Sequence, residues 1–269
     1  MVYFTYMELF FIISTFVLGT IIGSFLNVVI YRHNTGKGFG GRSACMSCAK
    51  TLGWCELIPI ISFLIQKGRC LKCRNKISPQ YPIVEFLTGI VFVLIFQVMP
   101  HSLVLDFIKI IYYWVIFSIL IMISVYDIRH KIIPDKPVYT FVLLAVLAPI
   151  LSNGFSLQIF SNIIAGLALA LPFALLWLFS RGTLMGLGDA KIVLGLGIMF
   201  GLSAGLSVVL LAFWIGALFS IILLALSRGG ITMKSEIPFG PFLVLSAFIA
   251  LISNFDLGSI ANLFQTLAF

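Results

Sequence analysis

The strongest constraint on this chain is the absence of charge over distances that no soluble fold tolerates. Residues 137–180 contain no Asp, Glu, Lys or Arg, and neither do residues 192–227. In a bilayer about 20 apolar residues make one helical span, because only a helix or a closed barrel satisfies its own backbone there. The first run is too long for one span, and Ser152-Asn153-Gly154 offers a turn. The second is expected to break near residues 201–205. Residues 9–31, 86–99 with their flanks, 110–126 and 237–255 supply one span each. Residues 9–31 are not read as a removable signal, since no basic residue precedes them and the run is too long. The expected fold class is an all-α polytopic membrane protein of about eight transmembrane helices. Composition agrees: 61% of residues are hydrophobic and 10% charged, with mean hydropathy +1.16, whereas a soluble domain is about a quarter charged.

A net charge of +8 on such a chain reports topology, and nucleic acid is not an expected partner. Basic residues cluster in residues 32–76, at Arg129, Lys131 and Lys136, at Arg181 and Lys191, and at Arg228 and Lys234. With eight spans, all of the 17 Lys and Arg except Lys109 fall on one side. By the positive-inside rule that side is the cytoplasm and both termini lie outside. The expected location is the bacterial cytoplasmic membrane, with lipid as surroundings. The sequence carries no signal for an oligomeric state.

Two aspartates sit at the cytoplasmic edges of apolar runs. Asp127 closes residues 110–126, and Asp189 ends Gly186-Leu187-Gly188-Asp189. Carboxylates there are functional candidates by default. Held side by side they would share one proton: the charged member takes a proton from water while the protonated member polarises a scissile carbonyl. Such a dyad needs its carboxyl groups within about one water of each other. Gly186 and Gly188 lack side chains and would let a substrate backbone approach. The plainer alternatives are an interfacial charge paired with Arg129 or Lys131 for Asp127, and a solvated helix cap for Asp189. Asp135 is expected to cap the fourth span. Lys191 would orient substrate or face lipid headgroups.

The loop of residues 32–81 holds all five cysteines. Cys45, Cys48, Cys70 and Cys73 form two Cys-x2-Cys pairs with 21 residues between them. On a reducing side this spacing reads as a tetrahedral structural zinc site rather than disulfides; free thiols or a redox pair are the alternatives. The first knuckle, Cys45-Met46-Ser47-Cys48-Ala49, lacks the Pro and Gly that often tighten such turns. Cys55 falls outside the pattern and is expected to be a packed small side chain. Residues 57–65 are apolar but too short to span, and would form either the core of a zinc domain or a membrane-interfacial segment.

These motifs together resemble a known family. Gly23-Ser24-Phe25-Leu26-Asn27-Val28-Val29-Ile30-Tyr31-Arg32, the twin Cys-x2-Cys loop ending in Ser78-Pro79-Gln80-Tyr81-Pro82-Ile83-Val84-Glu85, Asp127 followed by Ile133-Pro134-Asp135, Gly186-x-Gly188-Asp189-Ala190-Lys191 and Pro238-Phe239-Gly240-Pro241-Phe242 occur in the order and spacing of type IV prepilin peptidases. Those are bifunctional leader peptidases and N-methyltransferases of pilus, type II secretion and DNA-uptake systems. The resemblance implies that Asp127 and Asp189 are catalytic. It also implies a prepilin or pseudopilin substrate, cut after a glycine that ends a basic leader, and methylation of the new N-terminus from S-adenosylmethionine. Glu56, Glu85, Asp135 or Glu236 would steer the basic leader.

No Gly-x-Gly-x-x-Gly motif marks a methyl-donor site. Asn27 and Glu85 are the polar candidates for cofactor binding at the membrane edge; an interhelical hydrogen bond and a salt bridge to the basic loop are their alternatives. Gly19 and Gly23 read as a helix-packing pair. The expected organisation is a first helix (1–31), a four-cysteine zinc loop associated with methyl transfer (32–81) and a peptidase core (82–269). A peptidase without methylation is the runner-up. An ion-coupled transporter would use the two aspartates but leaves the cysteine loop and the Gly-x-Gly-Asp turn unexplained.

Overall fold

A computed structural model describes residues 2–33, 38, 40–100, 102–226 and 237–253. The elements are helices α1 (Val2–Arg32), α2 (Ile61–Ile65), α3 (Gln80–Val98), α4 (Val104–His130), α5 (Asp135–Ala145), α6 (Leu147–Asn153), α7 (Gln158–Ser180), α8 (Leu187–Leu226) and α9 (Gly240–Ser253), with one short 3-10 turn at Trp54–Glu56. Among the described residues there is no strand, only two isolated bridges, Ala44 with Thr51 and Arg69 with Lys76. Among the described residues six segments are long and apolar enough to cross a membrane, α5 and α6 jointly forming one of them, and α9 is a shorter apolar helix. The chain is a multi-pass α-helical membrane protein. Arg228, Lys234 and Glu236 lie outside the described residues.

The break expected near residues 201–205 is at Gly201, whose φ of 77° and ψ of −174° interrupt α8. Only glycine adopts that conformation freely. Divided there, α8 supplies two apolar segments, and among the described residues these make eight apolar helical segments together with α1, α3, α4, α5 with α6, α7 and α9. In a bilayer a freed carbonyl must find a new donor. Asn162 supplies one, its side-chain amide donating to Ile198 O at 3.1 Å. The other expected turn lies at Gly154, at φ 68°.

The residues group into two compact units, Met1–Met122 and Ile123–Phe269. In the first, α1 and α3 pack backbone to backbone. A Cβ on Gly19 would lie 2.8 Å from Gly89 Cα, and one on Gly23 would lie 2.7 Å from Glu85 Cα. Without a hydrophobic driving force between helices in lipid, small residues supply the association through close van der Waals contact. Trp114 stacks on Phe92 at 4.8 Å and donates its indole N–H to Phe92 O, joining α4 to α3. In the second unit the same device seats α7 on α8: a Cβ on Gly197 would lie 2.6 Å from Gly166 Cα. Phe141 of α5 fills the groove left by Gly195.

Candidate functional site

Asp127 lies in the last turn of α4. The helix stops soon after it, where Lys131 turns to φ 54° and donates its N–H to Asp127 O. The Asp127 side chain points inward, 4% exposed, and accepts the Gly240 N–H at 3.2 Å. Gly240 is the first residue of α9. A Cβ there would lie 2.8 Å from Asp127 Oδ2, so glycine is what allows the carboxylate to reach the amino end of that helix. Phe239, one residue earlier, is held by Phe213 at 4.8 Å and by Phe173 at 6.5 Å.

Asp189 is the third residue of α8 and is 7% exposed. It is not a solvated cap. Its Oδ1 is buried and finds no hydrogen-bond partner among the described residues. Two links hold the start of α8 in place. Gly188 lies against Ile133 of the loop after Asp127, where a Cβ would come within 2.6 Å of Ile133 Cβ. The Lys191 ammonium pairs with Asp135 at 2.5 Å and lies 4.8 Å from the centre of the Tyr139 ring.

Several expectations change at this point. The glycine at 188 makes room for Ile133; Gly186 is the more open of the two, with Asp189 Oδ2 3.8 Å from a Cβ placed there. Asp135 does not cap the fourth span: Pro134 holds the cap position, Asp135 is the first helical residue, and its carboxylate goes to Lys191. Lys191 is engaged within the fold by Asp135 and Tyr139. Of the acids considered for steering a leader, Glu56 is paired with Lys50 at 2.9 Å, Asp135 with Lys191, and Glu85 is buried. Gly240, noted above only as part of a motif and with no role given, and Tyr139, which no motif singled out, both carry site contacts.

In the first unit the Cys45, Cys48, Cys70 and Cys73 sulfurs all lie within 4.8 Å of one another. The two knuckles share one construction. Cys45 N–H donates to Lys50 O and Ala49 N–H to Cys45 O; Cys70 N–H donates to Asn75 O and Arg74 N–H to Cys70 O. Ala49 and Arg74 take φ of 53° and 60°, so the turn forms without the glycine usual there. Backbone N–H groups of Cys48 and Ser47 hold the Cys45 thiol down at about 6. Those of Cys73 and Lys72 lower Cys70 likewise. At Cys73 the Asn75 amide pulls down, but burial and the neighbouring thiols outweigh it and push the group up to about 11. The donor set fits a tetrahedral metal. Four sulfurs about 2.3 Å from zinc stand about 3.8 Å apart, and Cys45 Sγ to Cys73 Sγ is 3.8 Å. Cys55 is exposed and outside the cluster, not packed as expected; it sits in the Trp54–Glu56 turn, none of whose residues is buried.

A left-handed alanine is strained by about 1 kcal/mol or more, of which glycine's larger unfolded-state entropy takes back part. Ala49→Gly is therefore expected to tighten metal binding about twofold to threefold, read by chelator competition. Weaker binding would contradict the left-handed turn.

Asn27 is fully buried. Its side-chain amide donates to Tyr81 O at 3.1 Å, while its Oδ1 has no partner among the described residues. The interhelical hydrogen bond weighed for it is thus present. Glu85, also buried, accepts the Ile60 N–H at 2.7 Å and is bonded by Ser24.

Two family models match the chain. Residues 17–99 match the Bacterial Peptidase A24 N-terminal domain, and residues 114–221 match the Type IV leader peptidase family. A "Prepilin leader peptidase/N-methyltransferase" of Myxococcus xanthus is 31% identical, over 82% of this chain and 65% of that protein. A "Type 4 prepilin-like proteins leader peptide-processing enzyme" of Escherichia coli is 32% identical, over 84% of this chain and 88% of that protein. A "Prepilin leader peptidase/N-methyltransferase" of Bacillus subtilis is 29% identical, over 87% of this chain and 91% of that protein. No solved structure matches the chain.

Proposed function

The chain belongs to the type IV prepilin peptidase family, and on that premise we propose that it is a membrane aspartyl endopeptidase that removes the basic leader of prepilin-like proteins. The observation that carries this reading is the pair Asp127 and Asp189: both buried, the first bonded to the start of α9, the second with an unpartnered buried oxygen and next to Gly188, which packs on Ile133 of the loop after Asp127. Its charged member takes a proton from water, whose oxygen attacks the scissile carbonyl carbon. The protonated member donates a hydrogen bond to the carbonyl oxygen, and the leaving amine takes up a proton as the bond breaks. Gly186 leaves space beside Asp189, and Lys191 with Asp135 holds the start of α8 against α5. The dyad is assigned to the cytoplasmic face of the cytoplasmic membrane, where a leader's glycine meets the hydrophobic helix of its own prepilin. The four cysteines are assigned to structural zinc.

The test is direct. Solubilised protein is mixed with a prepilin-like peptide, and the cut after the leader glycine is read by mass. No cleavage product would sink the proposal. Gly240→Ala sharpens it, since the added methyl displaces Asp127 while the N–H remains. A displacement of about 1 Å lowers kcat/KM by about 10²-fold; unimpaired cleavage would remove Asp127 from the reacting pair.

Methylation of the new amine is the second activity proposed. S-adenosylmethionine supplies the methyl group. The unpartnered Asn27 Oδ1 favours a polar pocket beside α1 and α3, where an amide oxygen can accept from a cationic donor or amine. Glu85 is the carboxylate of that pocket, although Ile60 and Ser24 already engage it. Addition of S-adenosylmethionine is expected to raise the product mass by about 14 Da, one CH2 unit. Cleavage without that increment would leave a peptidase alone.

A further inference from the structure

Residues 54–65 are a short segment whose apolar side chains are turned outward. Trp54 is 79% exposed, Ile65 75% and Leu64 66%, with Leu57 and Ile61 also exposed. Such a patch does not face water by default. Its backbone is constrained as well. Ile60, a β-branched residue, takes φ 61° and ψ −53°, and the Ile61 N–H donates to Pro59 O across it. That is a three-residue turn of a rare, strained kind. The Ile60 N–H is clamped by the buried Glu85 carboxylate at 2.7 Å.

The clamp sets a depth. Helix α3 has 19 residues, about 28 Å at 1.5 Å per residue, which the hydrocarbon core of about 30 Å takes up entirely. Glu85 is the sixth residue of α3, hence about 7–8 Å inside its Gln80 end. A group hydrogen-bonded to Glu85 is held at that level, within the about 5–10 Å at which interfacial helices lie. Immediately after the segment come five basic residues, Lys67, Arg69, Lys72, Arg74 and Lys76, placed to meet anionic headgroups.

We infer that residues 54–65 form a membrane-interfacial wedge, with Trp54, Leu57, Ile61, Leu64 and Ile65 in the headgroup–acyl boundary of an anionic leaflet and the Ile60–Glu85 clamp holding them at that depth. The four-cysteine loop is thereby moored to the bilayer surface at a point other than its two ends. The wedge stands independently of the peptidase reading, because its test measures depth and not cleavage.

The test uses the full chain with Trp114→Phe, Trp177→Phe and Trp214→Phe, which leaves Trp54 as the single tryptophan of the four. It is reconstituted in phosphatidylglycerol–phosphatidylcholine vesicles whose acyl chains are brominated near the headgroup or near the bilayer middle. Shallow bromines are expected to quench about half of the Trp54 emission or more, with weak quenching by aqueous acrylamide. Strong acrylamide quenching without bromine quenching overturns the wedge. Quenching by neither also overturns it, since protein would then cover the patch. Glu85→Gln, which weakens the clamp, is expected to raise acrylamide access at least twofold; unchanged access overturns the clamp. Omitting phosphatidylglycerol is expected to reduce shallow quenching, and no change overturns the anionic preference. Should the triple variant not fold, a photoreactive benzophenone side chain at Leu64 in the otherwise unaltered chain gives a second measure: phospholipid adducts by mass support the wedge, and their absence overturns it.

Discussion

Asp127→Asn and Asp189→Asn are each expected to lower kcat/KM for leader cleavage by at least about 10³-fold, while the protein remains folded. Asparagine keeps the shape of the side chain, and at position 127 its carbonyl oxygen can still accept the Gly240 N–H now 3.2 Å from the carboxylate. What is lost is the ability to take or hold a proton. The double variant should lie within about tenfold of either single one, because the two groups act as a unit and their effects do not add. A single variant that retained a tenth of the activity would remove its residue from the dyad. Thermal melts of the three variants decide whether lost cleavage reflects chemistry or unfolding. The packing around the pair favours the first, since α8 is also anchored by Lys191 with Asp135 and by Gly188 against Ile133.

Purified protein is expected to carry about one zinc per chain, and Cys70→Ser to lose it along with the fold of the loop. Among the described residues from 40 to 79, only Gln66 and Cys70 are buried. A segment of this size without an apolar core needs another source of folding energy. Structural zinc supplies about 10–16 kcal/mol in small domains, far more than the hydrogen bonds of two knuckles, at about 1 kcal/mol each. Removal of the metal should therefore expose the loop to protease while the apolar helices stay intact. Cys55→Ser should retain the full metal content, since Cys55 is exposed and outside the cluster. Elemental analysis with limited proteolysis measures both. A metal-free loop that resisted protease would overturn the assignment.

The two predictions rest on features of different legibility. The cysteine spacing already pointed to a tetrahedral site, because each Cys-x2-Cys knuckle is a local turn. The missing glycine proved no obstacle: Ala49 and Arg74 adopt the left-handed conformation themselves. The break in α8 was legible because glycine is the residue that permits it, at Gly201. The partner of Asp127 was not. Gly240 lies 113 residues away, and nothing in Pro238-Phe239-Gly240 indicates that its N–H meets a carboxylate. Asp135 was read as a cap because caps are local, whereas its contact with Lys191 spans 56 residues. Residues 57–65 stood between two readings in sequence, as the core of the loop or as an interfacial segment. Their outward exposure and the hydrogen bond to Glu85 favour the second.

By itself the sequence determined the membrane-spanning class, the positions of the helix breaks, the four clustered sulfurs and the two aspartates worth singling out. Each of these follows from hydropathy, charge or turn chemistry read over a few residues. Only the tertiary structure decided what those groups touch: Gly240 against Asp127, Ile133 against Gly188, Lys191 on Asp135 and Ile60 on Glu85. Such contacts join residues far apart in the chain, and their geometry depends on how closely glycine-lined helices approach one another.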